Sequence, residues 1–498
     1  MPILLALLAA GPAFADSPAS TTTVAESTGT WDETSASSAT PAAVMAFSTG
    51  AVVATPTTPV LESTADVIVL TLSQCVHIGL AHATDVLKAA NDVQFTGTQL
   101  LQAYLQFLPS IDASAGYGWQ SGRDYLTLGA PSFVSTTNRW AQYQLAGDFN
   151  VFNGLSDYAA LRSGRQKKTS AELTLYRAKQ QIALDITQAY LQVLLDRRIV
   201  TYGLTNVQAS QAREALLQEQ TRVGVKSLAD LYRQQAQTSS DQLFLINARN
   251  RAHDDLILLL RRLRVDLARR YDILDVPLNE PPAANPYARA DALVRQALHN
   301  RPDLAAAQST AQAAQWDVAT ARGGYYPRLD LTADMNGGGR WLNRQTVGGV
   351  DVAPASQPTL GHQLGSEIIY DAGAVLTWGL FDRYITRLAV ARQTEAARNS
   401  DIDYEDRLLQ VEGDVQTVMG DYDASLQQVD AADKGIQAAK EAYDAVQTRY
   451  TVGASSIVDL LIAQSALLQA QASDAQARIG YVLQDKTMQF VLGAIPVQ

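Results

Sequence analysis

The chain has 498 residues, of which 39 are basic and 50 acidic, so its formal net charge is −11. This balance disfavours nucleic acid as a partner, because binding to phosphates needs clustered lysine and arginine. The single cysteine, Cys75, excludes a disulfide framework within the chain, and we expect it to be a packed thiol in an amphipathic helix.

The N-terminal segment has the composition of a leader. An apolar run and the small-x-small sequence Ala13-Phe14-Ala15 predict a secretory signal peptide over residues 1–15. Residues 16–66 are rich in Ser, Thr, Ala and Pro, which predicts a disordered leader. No later stretch reaches about 18 apolar residues, so no transmembrane helix is expected.

The rest of the chain contains the same pattern twice. Leu80–Asp112 aligns without a gap to Leu298–Asp330, at an offset of 218 residues. Two further pairs align at an offset of 229: Phe152 with Phe381, and Gly224 with Gly453. This period is too long for a solenoid repeat of about 20–50 residues. We therefore predict an internal duplication of a whole structural unit.

The duplication sets the domain organisation. We predict a first repeat over residues 67–275, a Pro-rich linker over 276–287 and a second repeat over 288–498. Each repeat comprises an entry helix, a β-hairpin and a helical hairpin. The offset grows by 11 residues within the hairpins, and we place the extra residues in a loop between about Asn336 and Glu367.

The helical segments are long. No proline occurs between Pro131 and Pro277 or between Pro358 and Pro496, so two wide stretches lack the strongest helix breaker. Apolar residues from Val411 to Tyr450 recur at a mean step of about 3.5, which is typical of a coiled coil. A first-copy helix over about 155–223 would be roughly 100 Å long, although Arg197 and Glu214 interrupt its apolar stripe.

Short segments with strict period-two alternation lie between these helices. They fall within predicted β-hairpins at about 109–152 and 327–381, and cover residues 110–119, 142–151, 328–336 and 370–380. One face of each is apolar, whereas the other carries five aspartates: Asp112, Asp148, Asp330, Asp334 and Asp371. Aromatic residues lie near the strand ends. A soluble sheet packed on helices would not explain the purely apolar face, whereas lipid outside and water inside would.

Counting strands predicts an oligomer. Bare sheet edges cannot face lipid, and four strands per chain are too few to close a barrel. Several chains must share one barrel, with eight strands from a dimer, twelve from a trimer or sixteen from a tetramer. We therefore predict an α+β membrane protein with a long coiled α-helical tunnel and a transmembrane β-barrel shared between protomers.

Each long helix is followed by the same turn. Gly224 and Gly453 should end the helices in a left-handed conformation. Ser227 and Ser456, each with an aspartate three residues later, resemble capping boxes. The aspartates (Asp230 and Asp459) either cap the next helix only or also ring a pore mouth in the oligomer.

The chain lacks the signatures of catalysis. Its five histidines are scattered, and no phosphate loop or nucleophile elbow occurs. We therefore expect no catalytic, metal-binding or cofactor-binding residues and no enzymatic activity.

Over about residues 70–493, the chain resembles the TolC-type outer-membrane efflux channels, also called outer membrane factors. The resemblance depends on paired motifs whose order and spacing match: Leu108-Pro109-Ser110 with Tyr326-Pro327-Arg328, Phe152-Asn153-Gly154 with Phe381-Asp382-Arg383, and the two helical turns. It implies a homotrimer with a twelve-stranded barrel in the outer membrane of a Gram-negative bacterium. A tunnel would extend from it into the periplasm.

The resemblance also implies partners and a function. A periplasmic adaptor and an inner-membrane pump of the RND, MFS or ABC type would deliver small molecules to a passive exit duct. The adaptor-contacting tip would comprise four residues: Val223, Gly224, Val452 and Gly453. The periplasmic gate would comprise three: Asp230, Tyr450 and Asp459.

Two positions depart from the family pattern. Ser455 stands where a basic gate partner is expected, and Ile462 stands where a second acidic ring is expected. Arg222, Lys226 or Arg449 would have to substitute for the missing base. Two alternative functions also fit the pattern: an outer-membrane channel of a type I protein secretion system, and a soluble coiled-coil scaffold without a barrel.

Overall fold

The computed structural model describes residues 67–126, 132–275, 285–347, 349–353 and 356–495. The predicted signal peptide and leader lie outside the described residues, as does most of the predicted linker. No helix among the described residues is long and apolar enough to cross a membrane.

The first copy begins with a short strand and two helices, which lead into a hairpin and a pair of long helices. Its elements are β1 (Ile68–Leu70), α1 (Leu72–His82), α2 (Thr84–Leu105), β2 (Ser110–Leu126), β3 (Ser132–Phe152), α3 (Ser156–Arg222), α4 (Leu228–Leu263) and β4 (Tyr271–Ile273). The long helix expected over about 155–223 is present as α3.

The second copy follows the same order, with additional elements in the loop of its hairpin. Its elements are α5 (Ala290–Asn300), α6 (Pro302–Arg322), β5 (Arg328–Val347), β6 (Val350–Val352), α7 (Leu360–Ser366), β7 (Ile368–Thr377), α8 (Ile385–Thr451) and α9 (Ile457–Val491). Helices α3 and α8 each have 67 residues. The extra residues of the second hairpin form β6 and α7, neither of which the sequence predicted.

The long strands form one antiparallel sheet in the order β2-β3-β5-β7, and β6 pairs with the end of β5. The alternating segments found in the sequence have 9–11 residues each and are shorter than three of the strands, since β2, β3 and β5 have 17, 21 and 20 residues. The alternation of apolar and polar residues stops before the strands do. The backbone ladder continues because it needs only paired amides and carbonyls.

The pairing register divides the sheet into the two expected faces. Ala115 pairs with Tyr143 on the apolar face, and the next pair, Gly116 with Gln142, lies on the opposite face. Trp119 on the apolar face is 73% exposed in the single chain. On the polar face, Asn150 donates a hydrogen bond of 2.8 Å to Asp330.

The sheet joins the helices through tightly packed junctions. The backbone is left-handed at Gly154 and Leu155 before α3, and again at Arg383 and Tyr384 before α8. The two copies abut here: a Cβ atom on Gly154 would lie 2.6 Å from the carbonyl oxygen of Gly323. No side chain fits at that approach, so the backbones of the two copies meet directly.

Two of the apolar clusters among the described residues are centred on one copy each, although the first also includes Ile479 of α9. The first includes Cys75, which is fully buried, as expected of a packed thiol. Burial raises the pKa of this thiol to about 11. Leu293, the counterpart of Cys75, is buried in the second core. The duplication is therefore repeated in the packing.

The sequence did not predict a small parallel sheet formed by β1 and β4. Arg197, which interrupts the apolar stripe of α3, forms an ion pair with Asp272 and donates a hydrogen bond of 2.7 Å to the carbonyl oxygen of Ile273. Arg197, the charged residue within the apolar stripe, therefore attaches strand β4 to helix α3.

Candidate functional site

The two helical turns have the same backbone geometry. Residues 223–227 connect α3 to α4, and residues 452–456 connect α8 to α9. Gly224 and Gly453 have φ angles of +80° and +78°, as expected from the sequence. A Cβ atom at either glycine would meet nothing within 4 Å, so the left-handed conformation, and not lack of space, favours glycine.

The second turn contains a complete capping box. The Ser456 hydroxyl accepts a hydrogen bond from the Asp459 amide at 3.2 Å, and the Ser456 amide donates to the Asp459 carboxylate at 3.1 Å. The hydroxyls of Ser455 and Ser456 also donate to this carboxylate, at 3.0 and 2.8 Å. These bonds, chiefly those from Ser456, lower the pKa of Asp459. Ser455 therefore supports the cap at the position where the family places a base.

The first turn uses its aspartate differently. The Ser227 hydroxyl accepts a hydrogen bond from the Asp230 amide at 3.1 Å, as in the second turn. The Asp230 carboxylate, however, lies 3.5 Å from the Arg233 guanidinium, one helical turn further along α4. Asp230 is therefore placed to interact beyond its own cap.

Tyr450 lies where the two hairpins meet. It packs against an apolar cluster of Leu217, Leu231 and Ile457, which come from α3, α4 and α9. Among the described residues its buried hydroxyl has no hydrogen-bond partner. Burial raises the pKa of Tyr450, and the negative charge of Asp230 raises it further.

Of the three bases that could replace the missing partner, Lys226 contacts Tyr450. Its ammonium nitrogen lies 4.8 Å from the centroid of the Tyr450 ring, within the range of a cation–π interaction. Arg222 instead pairs with Glu219 at 2.9 Å. The positive charge of Arg449 acts on Asp459, whose pKa it helps to lower. Lys226 therefore links the first turn to the end of α8.

Apolar side chains project from both turns. Val223 is 62% exposed and Val452 is 75% exposed. Three further apolar residues near the turns are also exposed: Val225, Leu228 and Ile462. Ile462, where the family places a second acid, belongs to this surface. Such a concentration of exposed apolar groups is typical of a surface that binds another protein.

A buried polar layer lies along the helices beyond the turns, and the sequence did not predict it. Ser210 on α3 donates a hydrogen bond to Asp241 on α4, and the Gln234 amide donates to the Ser210 carbonyl at 3.2 Å. Gln464 on α9 donates to the Ser210 hydroxyl at 3.2 Å and accepts from Arg213. The sequence signal that could have revealed this layer is the presence of polar residues at helical positions that face the core. The layer cross-links three helices by hydrogen bonds.

Comparisons with known proteins agree with this architecture. A family model described as "Outer membrane efflux protein" matches residues 76–263 and 293–494. The outer membrane protein TolC of Escherichia coli is 22% identical over 416 residues, which cover 82% of this chain and 80% of TolC. The pyoverdine export outer membrane protein OpmQ of Pseudomonas aeruginosa is 24% identical over 329 residues. That match covers 64% of this chain and 61% of OpmQ.

Solved structures show the same fold. The CmeC outer membrane channel of Campylobacter jejuni superposes with a TM-score of 0.70 at 16% identity, covering 85% of each chain. The outer membrane protein VceC of Vibrio cholerae superposes with a TM-score of 0.68 at 18% identity. That match covers 85% of this chain and 96% of VceC.

Proposed function

The chain belongs to the outer membrane efflux protein family, and we propose that it is the passive exit duct of a tripartite efflux system. It would conduct small molecules from a periplasmic adaptor and an inner-membrane pump to the outside of a Gram-negative cell. The observation that carries the proposal is the direct connection of a two-faced sheet to two 67-residue helices that end in tight turns.

The sheet supports assembly as a homotrimer. Strands β2 and β7 are its outer long strands, so each has one side available for pairing with a neighbouring copy. Bare edges cannot face lipid, because their amides and carbonyls would lack partners. Four long strands from each of three copies would close a barrel of twelve, with the aspartates of the polar face lining the lumen.

The tip residues support a gate at the periplasmic end. The three predicted gate residues lie at or beside the two turns: Asp230, Tyr450 and Asp459. Lys226, in the first turn, contacts the ring of Tyr450, which belongs to α8. We assign to Lys226 the role of the missing base. Its contact holds the two hairpins of a protomer together, and loss of the contact would favour separation of the hairpins and opening of the tip.

The exposed apolar surface supports adaptor binding at the same end. Val223 and Val452 project from turns whose shape depends on Gly224 and Gly453. These four residues would form an apolar surface at the tip that binds a complementary apolar surface on the adaptor.

The proposal is tested by conductance in planar bilayers. The full-length protein should form cation-preferring channels of low conductance, and Lys226→Met should raise the conductance several-fold by weakening the closed tip. Lys440→Met, which removes an exposed lysine of α8, is the matched control and should behave like the unaltered protein.

The outcomes separate two claims. If the unaltered protein forms no channel, the proposed function is wrong. If it forms channels and Lys226→Met does not change them, the duct remains and the gate assignment is wrong.

A further inference from the structure

The apolar face of the sheet carries basic side chains at one end. From the helix-proximal end, β2 presents Ile111, Ala113, Ala115, Tyr117 and Trp119 on this face. The strand rises about 26 Å over these residues, close to the roughly 25 Å height of an apolar band in a membrane barrel. Beyond Trp119 the same face presents Ser121 and then Arg123. The band therefore ends in a polar, basic zone at the end far from the helices.

Two more arginines lie on the same face, within about 13 Å of Arg123 along the strand direction. Arg139 on β3 pairs with Trp119 on β2 and with Trp341 on β5. Arg344 on β5 pairs with Thr137 on β3, so it lies about 8 Å from Arg139 by strand geometry. We call Arg123, Arg139 and Arg344 the arginine strip. It begins level with the tryptophans that close the apolar band and extends beyond them.

The arginine strip carries a net positive charge within the described residues. All three side chains are exposed, and none forms an ion pair there. Asp351 of β6 lies on this face and offsets one of the three positive charges. Its carboxylate accepts a hydrogen bond of 2.5 Å from the Thr346 hydroxyl. Ser121 and Thr137, whose hydroxyls lie 2.9 Å apart, add polar groups between the arginines. The surface is therefore a basic zone with available donors.

Basic residues at the opposite end of the band are used within the protein. Arg162 donates a hydrogen bond of 2.9 Å to the Tyr158 hydroxyl and lies over the rings of Tyr158 and Trp316. Lys167 pairs with Asp317 at 2.9 Å. Internal partners therefore engage Arg162 and Lys167 at that end, whereas the arginine strip is available to a ligand.

We propose that the arginine strip binds the phosphate groups of lipopolysaccharide, the phosphorylated glycolipid of the outer leaflet. The inference rests on the proposed function, because it requires the apolar band to lie in the outer membrane with the helices on the periplasmic side. Guanidinium groups bind phosphate through two parallel hydrogen bonds. Anionic headgroups at the edge of the band would supply partners for these guanidinium groups.

The test is native mass spectrometry of the full-length protein in detergent with added bisphosphorylated lipid A. Replacing the three arginines of the strip with glutamine should lower the fraction of protein carrying lipid A at least tenfold. The matched control replaces three exposed arginines of the tunnel helices, Arg249, Arg295 and Arg392, with glutamine and should leave lipid binding unchanged. Monophosphorylated lipid A should bind the unaltered protein several-fold more weakly.

Three outcomes would overturn the inference: equal lipid A binding by the strip variant and the unaltered protein, an equal loss in the control variant, or equally tight binding of phosphatidylglycerol. Bilayer conductance of the strip variant separates this failure from that of the proposed function. A variant that conducts normally but binds lipid A unchanged would refute the lipid site and leave the duct intact.

Discussion

The two helical turns share a backbone and nearly a sequence, yet their aspartates have different surroundings. Asp459 is held by Ser455 and Ser456 in a closed cap, whereas Asp230 faces Arg233 and lies near Tyr450. The serine of the motif caps the next helix in both copies, but the aspartate carboxylate closes the cap only in the second. Duplication thus supplied two equivalent positions, of which one can change its role while the other maintains the fold.

The helix starts of α2 and α6 differ in the same way. Arg301 is 4% exposed and pairs with Asp303 at 2.7 Å and with Asp414 at 2.8 Å. Its counterpart in the first copy is Ala83. A buried ionic group therefore ties α6 to α8 in the second copy, and the first copy has no equivalent at this position.

The largest expected effect comes from breaking this group. Arg301→Ala would leave Asp414 without this partner and Asp303 with only Arg177, at 3.7 Å, and we expect a loss of about 3–5 kcal/mol in unfolding free energy. Urea unfolding in detergent, followed by circular dichroism, measures it. Arg295→Ala, at an exposed site on α5, should change stability by less than about 0.5 kcal/mol. Similar effects of the two variants would contradict this difference between the copies.

The next largest effect is a pH dependence of the unfolding free energy that arises from a residue of the first copy. Burial, assisted by a hydrogen bond with Asp255, raises the pKa of Asp196 to about 7. Its counterpart in the second copy is Ser425, which cannot titrate. The folded state therefore binds an extra proton between about pH 4 and 7, and its stability should fall as pH rises through that window.

Asp196→Asn imitates the protonated form and should remove this decline. We expect a difference of about 1–2 kcal/mol at pH 7 after allowance for partial contact with solvent. Unfolding curves at pH 5 and 7 measure it, and Asp254→Asn, at an exposed neighbouring site, is the control. Parallel pH profiles for Asp196→Asn and the unaltered protein would show that Asp196 does not take up the proton.

The stability contributions of the two serine caps should differ by a smaller amount than the effects above. Ser456→Ala removes a reciprocal capping box and should cost about 1–2 kcal/mol, whereas Ser227→Ala removes a single bond and should cost about 0.5–1 kcal/mol. Hydrogen exchange of the first amides of α9 and α4 would locate each loss. Equal protection loss in the two variants would mean that the caps are equivalent and the difference between the turns is unimportant.

The smallest effect is the acid dependence of the second cap. Because the folded state lowers the pKa of Asp459, its stabilising contribution is complete above the unfolded pKa of about 3.9 and is lost as pH falls through the folded pKa. The sign is opposite to that for Asp196. Asp459→Asn should flatten this part of the acid unfolding curve, and Asp444→Asn, on the exposed side of α8, should not.

The amino-acid sequence predicts those parts of the fold whose signal is local or periodic. The glycine turns and the alternating faces follow from neighbouring residues, so the long helices and the two-faced sheet could be predicted. Prediction failed where partners are far apart in the chain. Strands β1 and β4 have three residues each and meet across about 200 positions, and Lys226 meets Tyr450 only after folding. Neither contact leaves a pattern that spacing can reveal.

The glycine contact at the strand-to-helix junction has a mechanical consequence. Gly154 and Gly323 bring the two copies into backbone contact, which fixes the start of α3 against the end of α6, while the other end of α3 lies about 100 Å away. Helix α3 is then a lever arm with a rigid fulcrum at the membrane. A tilt of one degree at the fulcrum displaces the tip by about 1.7 Å over that length. Motions too small to disturb the sheet can therefore change the width of the tip by several ångströms.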